Sequence, residues 1–488
     1  MIQRCISFTW LFSILLFFGG CQQAPNTANV PEANFWKKQG VEILDHWDSQ
    51  ARDTAYGTFH TFLDRQWNTY NGSEKYPGMI SRHLFSYSVG YMLTGEKQYL
   101  RRASQTADYL IRHGWDRKYG GWYNALDRRG HVVDSSKDGF FQPYAIAGLT
   151  MYYFITHDPQ ILDYIERSHR IMQEHAWDSL YGGYYRSLNR DLTVQNTDKD
   201  FSPQLAPVSG YLIYLYLATR EKNYLRQMER ILQHVVREMS FEDEPWILER
   251  FDRRWNYTYS PREDSTEVNT GHHAEVVWML LRLYRITSKD AYLKKAMKLQ
   301  EPLYQHGLEE RSGAWYHRIG RHSPSYHSTN VPWWIQAYGN MLSLYLHNQT
   351  GQDRFLKAFR RGAGFWNNRL IDDQYGGAYL SVGPDGEIQK GSKAVRSKTS
   401  YHTLEHSLLN TLYTGLWVSH QPVTLHFHIS RAKKGEKLYP LPVEAPEAVL
   451  QEVKINGSPW NDFRTREGYI VLPEGEDLDI EVRVAGEK

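Results

Sequence analysis

LTGEKQYL (Leu93–Leu100) decides the fold, because it returns: ITHDPQIL at Ile155, ATREKNYL at Ala218, ITSKDAYL at Ile286 and QTGQDRFL at Gln349. A weaker sixth copy is YTGLW at Tyr413. In each, an apolar stretch ends on a Thr and a new stretch opens, usually on Tyr-Leu or Phe-Leu. The Thr residues, 94, 156, 219, 287, 350 and 414, are separated by 62, 63, 68, 63 and 64 positions. A second marker runs in parallel: YGTF at Tyr56, YGGWY at Tyr119, YGGYY at Tyr181, SGAWY at Ser312 and YGGAY at Tyr375. Its missing copy falls near Trp246, inside the longest period. A fixed period of this kind is the signature of a repeat architecture.

Each period holds two stretches with apolar residues three and four apart, the pattern of helices with a buried face. RHLFSYSVGYML (Arg82–Leu93) and the stretch from Tyr99 to Ile111 form the first pair. Between periods lies a Gly-aromatic loop, where Gly permits a turn that other residues resist. Six helical hairpins over residues 35–420 predict an all-α fold, an (α/α)6 toroidal barrel. An open solenoid is the alternative. After residue 421 the pattern alternates, in VTLHFHI (Val423–Ile429) and YIVLPEGEDLDIEVRV (Tyr469–Val484), with an Asn-Gly turn signal at Asn456. Residues 421–488 are therefore expected to form a small β-domain packed on the barrel.

The N-terminus reads as an export signal. Arg4 precedes an apolar run, Ile6–Phe18, too short for a comfortable membrane span, and Gly19-Gly20-Cys21 follows. That ending resembles a bacterial lipobox, which implies a lipoprotein signal peptide over residues 1–21 and lipidation of Cys21. Gln22 resembles an outer-membrane address. Residues 22–34 read as a flexible tether. The chain has two cysteines, Cys5 and Cys21. Cleavage would remove the first and lipid would occupy the second, so neither disulfide nor thiolate catalysis is expected. A lipid-anchored place in the cell envelope, on the outer membrane or facing the periplasm, follows as the expectation.

The formal net charge is +2, which implies no nucleic-acid partner. Aromatic residues make up 14% of the chain, with 16 Trp and 35 Tyr. Such side chains suit a carbohydrate surface as well as a large helical core.

In a closed repeat, equivalent positions fall on a ring. Twelve to seventeen residues before each turn Thr, at the start of the preceding helix, stand Arg82, Phe141 with Gln142, Gln204 with Ala206, His272 with Glu275, Trp333 with Trp334, and His402. One mouth would then present a guanidinium, two imidazoles, a carboxylate and a Trp pair. Two imidazoles on opposite sides of one carbon can remove a proton from one face and return it to the other, because imidazole titrates near neutrality. Glu275, one turn after His272, can orient it or contact a sugar hydroxyl. Arg82 can stabilise charge on an enediol oxygen. Trp333 and Trp334, with Phe141, Gln142 and Gln204, are candidates for holding a mono- or oligosaccharide. One of His272 and His273 is expected to satisfy a buried backbone group, and one of the two Trp to be core. His322, His327, His426 and His428 lack companions at ligand spacing, so no catalytic metal and no cofactor is expected.

These motifs resemble the N-acylglucosamine 2-epimerase superfamily, which includes cellobiose 2-epimerases and mannose isomerases, over roughly residues 35–420. GHHAEVVWMLL (Gly271–Leu281), VPWWIQA (Val331–Ala337), SYHT (Ser400–Thr403) and SRHLFSYS (Ser81–Ser88) carry the resemblance. It implies an (α/α)6 barrel in which His272 and His402 are the catalytic pair, supported by Glu275, Arg82, Trp333 and Trp334. It also implies metal-free 2-epimerisation or aldose–ketose isomerisation at a reducing-end sugar, through an enediol. The chain departs from the family pattern in three places. Ala206 and Ser209 stand where a His and a Glu are usual, Tyr338 where a Glu is usual, and Glu405 where an Arg is usual. Gln204, Lys199 and Asp200 are candidates to replace part of that shell. Two other readings stay open: an (α/α)6 glycoside hydrolase or lyase using Asp138, Asp200 and Glu275, and a non-catalytic glycan-binding lipoprotein.

Overall fold

The computed structural model describes residues 30–241, 244–258, 267–323 and 325–487. The segment 1–21 expected to be a signal, with Cys21, and most of the expected 22–34 tether lie outside the described residues. Among those described, no helix is long and apolar enough to cross a membrane.

Helices alternate between an outer and an inner ring. The inner ring comprises α2 (Pro77–Thr94), α4 (Phe141–Thr156), α6 (Phe201–Ala206) continued through a π-helical stretch Pro207–Leu212 into α7 (Ile213–Thr219), α9 (Thr270–Thr287), α11 (Trp333–Thr350) and α13 (Tyr401–Tyr413). The outer ring comprises α1 (Ala33–Gln50), α3 (Lys97–Tyr109), α5 (Pro159–Ile171), α8 (Lys222–Glu238), α10 (Asp290–His306) and α12 (Asp353–Phe365). Inner helices are covered on all sides: every residue of α4 is buried. Outer helices bury one stripe, such as Tyr224, Met228, Ile231, Leu232 and Val235 of α8.

The recurring Thr has a physical cause. Thr94, Thr219, Thr287 and Thr350 each donate a 2.7 Å hydrogen bond to the carbonyl four residues back, closing the last turn of an inner helix. The same hydroxyls accept the N–H of Glu96, Glu221, Lys289 and Gln352 at 3.1–3.3 Å, and so fix the start of the next outer helix. Gly95 and Gly351 sit at φ 74° and 67° just past two of these ends, in the left-handed region that favours Gly. Inner helices also touch closely. A Cβ on Gly148 of α4 would lie 1.8 Å from the Ser81 carbonyl oxygen of α2.

A second repeat is electrostatic. Asp53, Asp116, Asp178 and Asp372 are each about 1% exposed or less, and each is paired with a buried lysine: Lys75 (3.1 Å), Lys137 (3.2 Å), Lys199 (3.3 Å) and Lys393 (2.7 Å). An arginine from the following repeat completes each cluster. Arg128 reaches Asp53, Arg190 reaches Asp116, and Arg253 reaches Asp178, at 2.8–3.0 Å. The fourth arginine is Arg65, from the first interhelical loop, and it reaches the last of these aspartates, Asp372, at 2.9 Å. The chain therefore closes on itself with the contact that joins neighbouring repeats. Trp36 of α1 packing on His406 of α13, with ring centroids 5.1 Å apart, completes the closure. A solenoid has no such contact between its ends.

Residues 423–486, within the stretch 421–488 read as a small β-domain, are built of strands. Strands Val423–Ala432, Gly475–Gly486, Ala448–Ile455 and Ser458–Pro459 make one antiparallel sheet in that order, and Lys437–Leu438, Tyr469–Val471 and Phe463–Arg464 make a second. Between them the Pro440–Ala445 segment is buried against the barrel. Glu444 there accepts from Arg282 of α9 at 2.7 Å, in a pair that is 3% and 0% exposed. Tyr345 of α11 donates to the same carboxylate at 3.3 Å.

Candidate active site

The first turns of the inner helices converge on a cavity of about 210 Å3. Its lining is Arg82 from α2, Phe140 and Tyr144 at α4, Phe201, Ser202 and Ala206 of α6, His272 and Glu275 of α9, Trp333, Trp334 and Tyr338 of α11, and Ser397 and His402 at α13.

His272 is fixed from three sides. The Asn269 side chain accepts the N–H groups of Gly271 and His272 at 3.1 and 3.2 Å, capping α9. The ring stacks on Phe201 (4.2 Å between centroids, 18° between planes) and lies 5.1 Å from Trp334. Its Nδ1 is paired with Glu249. That carboxylate acceptor places the proton on Nδ1 and leaves Nε2 for the cavity. Burial pushes the Glu249 carboxyl up, but His272, with Arg318 and His317 beside it, outweighs this and holds it below the ordinary carboxylate range.

His402 is 7% exposed and surrounded by rings: Tyr401 (4.8 Å), Tyr338 (5.4 Å), Trp333 (5.9 Å) and Trp334 (6.1 Å). Both imidazoles thus border the one indole of Trp334. Burial, reinforced by Arg82 and His272, drives the His402 imidazole well below its usual value, so it is neutral at neutral pH. Arg82 donates to the Ser397 carbonyl at 3.1 Å and lies over Tyr144 at 3.6 Å, with Tyr401 and Phe140 within 5.5 Å. It makes no ion pair among the described residues, so its charge is directed at the cavity. Glu275 is buried, and desolvation raises its carboxyl against the opposing pull of His272, the Ser209 hydroxyl, Arg82 and the Tyr338 phenol.

Arg82, His272, Glu275, Trp333, Trp334 and His402 therefore share one cavity. Phe141, Gln142 and Gln204, expected at the mouth, do not line it. Gln142 accepts the N–H of Trp122 (3.0 Å) and donates to its carbonyl (2.7 Å), and Gln204 does the same to Tyr184 at 2.7 Å each. These amides clamp the Gly-aromatic loops to the inner helices. Phe141 stacks on Tyr76 outside the cavity, and Phe140 and Tyr144 take its place. In the fourth repeat His273 is the clamp: it accepts the Ile247 N–H at 3.2 Å and donates to the Leu299 carbonyl at 2.8 Å. Lys199 and Asp200 also lie elsewhere, Lys199 on Asp178 and Asp200 on Arg186 at 2.9 Å. Asp138 caps α4 by accepting the Phe140 and Phe141 N–H groups at 2.9 and 3.3 Å. Trp333 and Trp334 both line the cavity, although Trp333 is only 4% exposed.

Glu249 escaped the ring count because it comes from the loop before α9. Its position is nevertheless repeated. The Phe201 N–H donates to the Glu249 carbonyl, as that of Gly139 does to Arg186 and that of Thr270 to His317. In sequence these residues follow the same pair of loop positions, both aromatic in three of the five: WY-Asn124, YY-Arg186, IL-Glu249, WY-His317 and AY-Leu380.

Residues 57–406 match the family model of N-acylglucosamine 2-epimerase. The chain belongs to this family, and with it to the carbohydrate epimerases and isomerases. It is 26% identical over 383 residues to the cellobiose 2-epimerase of Bacteroides fragilis, spanning 75% of this chain and 95% of that one. It is 19% identical over 371 residues to the D-mannose isomerase of Marinomonas mediterranea, spanning 73% and 92%. In fold alone, it resembles the solved cellobiose 2-epimerase of Bacillus thermoamylovorans (TM-score 0.71, 19% identity, 78% and 98% covered). More distantly it resembles a GH76 α-mannanase of Bacteroides thetaiotaomicron (TM-score 0.55, 12% identity, 79% and 96% covered). Three positions expected to depart from the family pattern, Ala206, Tyr338 and Glu405, lie in or beside the cavity. Ala206 and Tyr338 line the cavity; Glu405 lies beneath it, hydrogen-bonded by Tyr214 at 3.0 Å and Tyr401 at 3.2 Å.

Proposed function

We propose that this epimerase-family chain moves the C2 proton of a reducing-end sugar through an enediol, giving 2-epimerisation or aldose–ketose isomerisation. The observation that carries this is the pair of imidazoles in one cavity, differently prepared. His402, held neutral by burial and Arg82, takes the C2 proton. The C–H electron pair passes to the enediolate, whose oxygen faces the Arg82 guanidinium. His272, carrying a proton on both ring nitrogens for this step with Nδ1–H held by Glu249, gives the Nε2 proton to the other face of C2, or to C1 in the isomerase outcome, and finishes as the neutral Nδ1–H tautomer. Glu275, whose carboxyl burial raises, hydrogen-bonds a sugar hydroxyl. Trp334 stacks on the ring between the two imidazoles. Cellobiose and D-mannose, the sugars named for the relatives, are the first substrates to try. Retaining or inverting hydrolysis needs two opposed carboxylates, and among the described residues Glu275 is the one carboxylate lining the cavity.

The test is deuterium incorporation at C2 or C1 of cellobiose or mannose in heavy water, read by NMR. We expect exchange in the parent protein and a loss of about 10²–10⁴-fold in His272→Asn and in His402→Asn. Release of new reducing ends from an oligosaccharide without exchange would refute the reading. We further propose, from the Ile6–Phe18 run and Cys21, that the enzyme works as a lipid-anchored protein of the cell envelope.

A further inference from the structure

Two buried polar atoms beneath the cavity lack partners and adjoin each other. His402 Nδ1 and Glu405 Oε2 are each without a hydrogen bond, and they lie 3.9 Å apart, one turn along α13. The other Glu405 oxygen is engaged: Oε1 accepts from Tyr214 of α7 at 3.0 Å and from Tyr401 at 3.2 Å. The carboxyl is thereby held with one oxygen free and turned toward the imidazole. A separation of 3.9 Å is too long for a hydrogen bond. Catalytic bonds are often long in the unliganded enzyme and tighten with substrate.

The surroundings decide where a proton rests. Glu275 and Arg282 from α9 face Glu405, as do the phenols of Tyr338 from α11 and Tyr144 from α4. Tyr413, further along α13, faces it too. Burial pushes the Glu405 carboxyl up to about 7, with Glu275 adding and the Tyr214, Arg282 and Tyr401 contacts opposing. Arg82 from α2 and His272 from α9 face His402, and with burial they disfavour its imidazolium. A proton delivered to this pair near neutrality therefore belongs on Glu405 rather than on His402.

We propose that Glu405 is a positioning residue that sets the tautomer of His402 and holds the proton His402 removes; this rests on the epimerase reading above. With Glu405 ionised, Oε2 accepts Nδ1–H, and Nε2 carries the lone pair that attacks C2–H. As the C2–H bond breaks and the Nε2–H bond forms, the Nδ1 proton passes to Oε2. His402 finishes neutral in the Nε2–H tautomer, Glu405 finishes as the acid, and the electron pair stays on the enediolate. Reversal returns the proton. No imidazolium is needed beside Arg82.

The test is ¹⁵N NMR of histidine-labelled protein between pH 5 and 9, with His402 assigned by its absence in His402→Gln. We expect the Nδ1–H tautomer at high pH and the Nε2–H tautomer at low pH, with the switch near pH 7 absent in Glu405→Gln. In C2 exchange, Glu405→Gln should lower kcat about 30–100-fold with KM within about threefold. It should also lose the pH limb near 7, and Glu405→Asp should recover part of the rate. A single His402 tautomer across the range, or a switch that persists in Glu405→Gln, overturns the proposal. The parent titration decides the matter if Glu405→Gln does not fold. The tautomer needs no turnover. A switch without C2 exchange would overturn the epimerase reading and leave the pair standing, and exchange without a switch would do the reverse.

Discussion

Replacing Asp372 by Asn opens the electrostatic cluster that, among the described residues, joins the last repeat to the first. Asp372 is fully buried and accepts from Lys393 at 2.7 Å, from Arg65 at 2.9 and 3.1 Å, and from the Gln374 and Tyr375 N–H groups at 3.2 and 3.3 Å. Arg65 is 36% exposed, so water replaces most of what it loses, about 0–1 kcal/mol. Lys393 is 1% exposed and has no such recourse. Breaking a buried pair costs about 3–5 kcal/mol. Burial already pulls the Lys393 ammonium below its usual value; in the variant the amine would shed its proton, which caps the loss near the lower figure. The expected result is a fall in Tm on the order of 3–4 °C, with a matching drop in the urea midpoint. Asp372→Leu combined with Lys393→Met should recover most of it, because a buried pair replaced by apolar groups of similar size is nearly neutral. The sign with pH also follows. Burial opposes ionisation of Asp372, but Arg65 and Lys393 outweigh it and hold the carboxyl well below its usual range. The cluster's contribution is thus complete above the unfolded carboxylate value, about 3.9. It is lost as pH falls through the depressed folded value, and Asp372→Asn should flatten the acid limb of the stability curve. A Tm loss under about 2 °C, or a double variant no better than the single one, would refute this account of ring closure.

Glu249→Gln removes the charge that holds His272. A hydrogen bond to a charged group contributes about 1.5–3 kcal/mol, so C2 exchange should fall about 10–100-fold, mostly in kcat, with Glu249→Asp intermediate; an unchanged rate would leave His272 oriented by Phe201 and Asn269 alone. Cys21→Ser should abolish incorporation of labelled palmitate in the bacterial host and move the protein from the membrane to the soluble fraction. Label that persists, or a membrane fraction that does not change, would count against the lipid anchor.

The six-hairpin period was legible because its Thr markers are helix ends, and helix ends are local chemistry: a hydroxyl bound to the carbonyl four residues back and to the N–H two residues on. The mouth was legible only to within three residues, because helices buried on every side carry no apolar stripe to show which residue faces inward. That is why Phe141, Gln142 and Gln204 were expected where Phe140, Tyr144 and Phe201 stand. The periodicity held a further sign. Gln142, Gln204 and Gln336 follow Trp122, Tyr184 and Trp315 by 20 or 21 residues, and each accepts that residue's N–H at 2.7–3.0 Å. Each of these repeats pins its loop to its inner helix in the same way, so the same residue returns in three of them, with His273 in its place in the fourth. A single asymmetric sugar asks something different of each repeat, so positions that touch it must differ. Arg82, Tyr144, Ala206, Glu275, Tyr338 and His402 differ, and so do Asn124, Arg186, Glu249, His317 and Leu380 on the second ring. Within a closed repeat, then, recurrence marks scaffold and divergence marks chemistry. By that rule Glu249 was a site candidate from its place in the loop alone, and Gln204 was not.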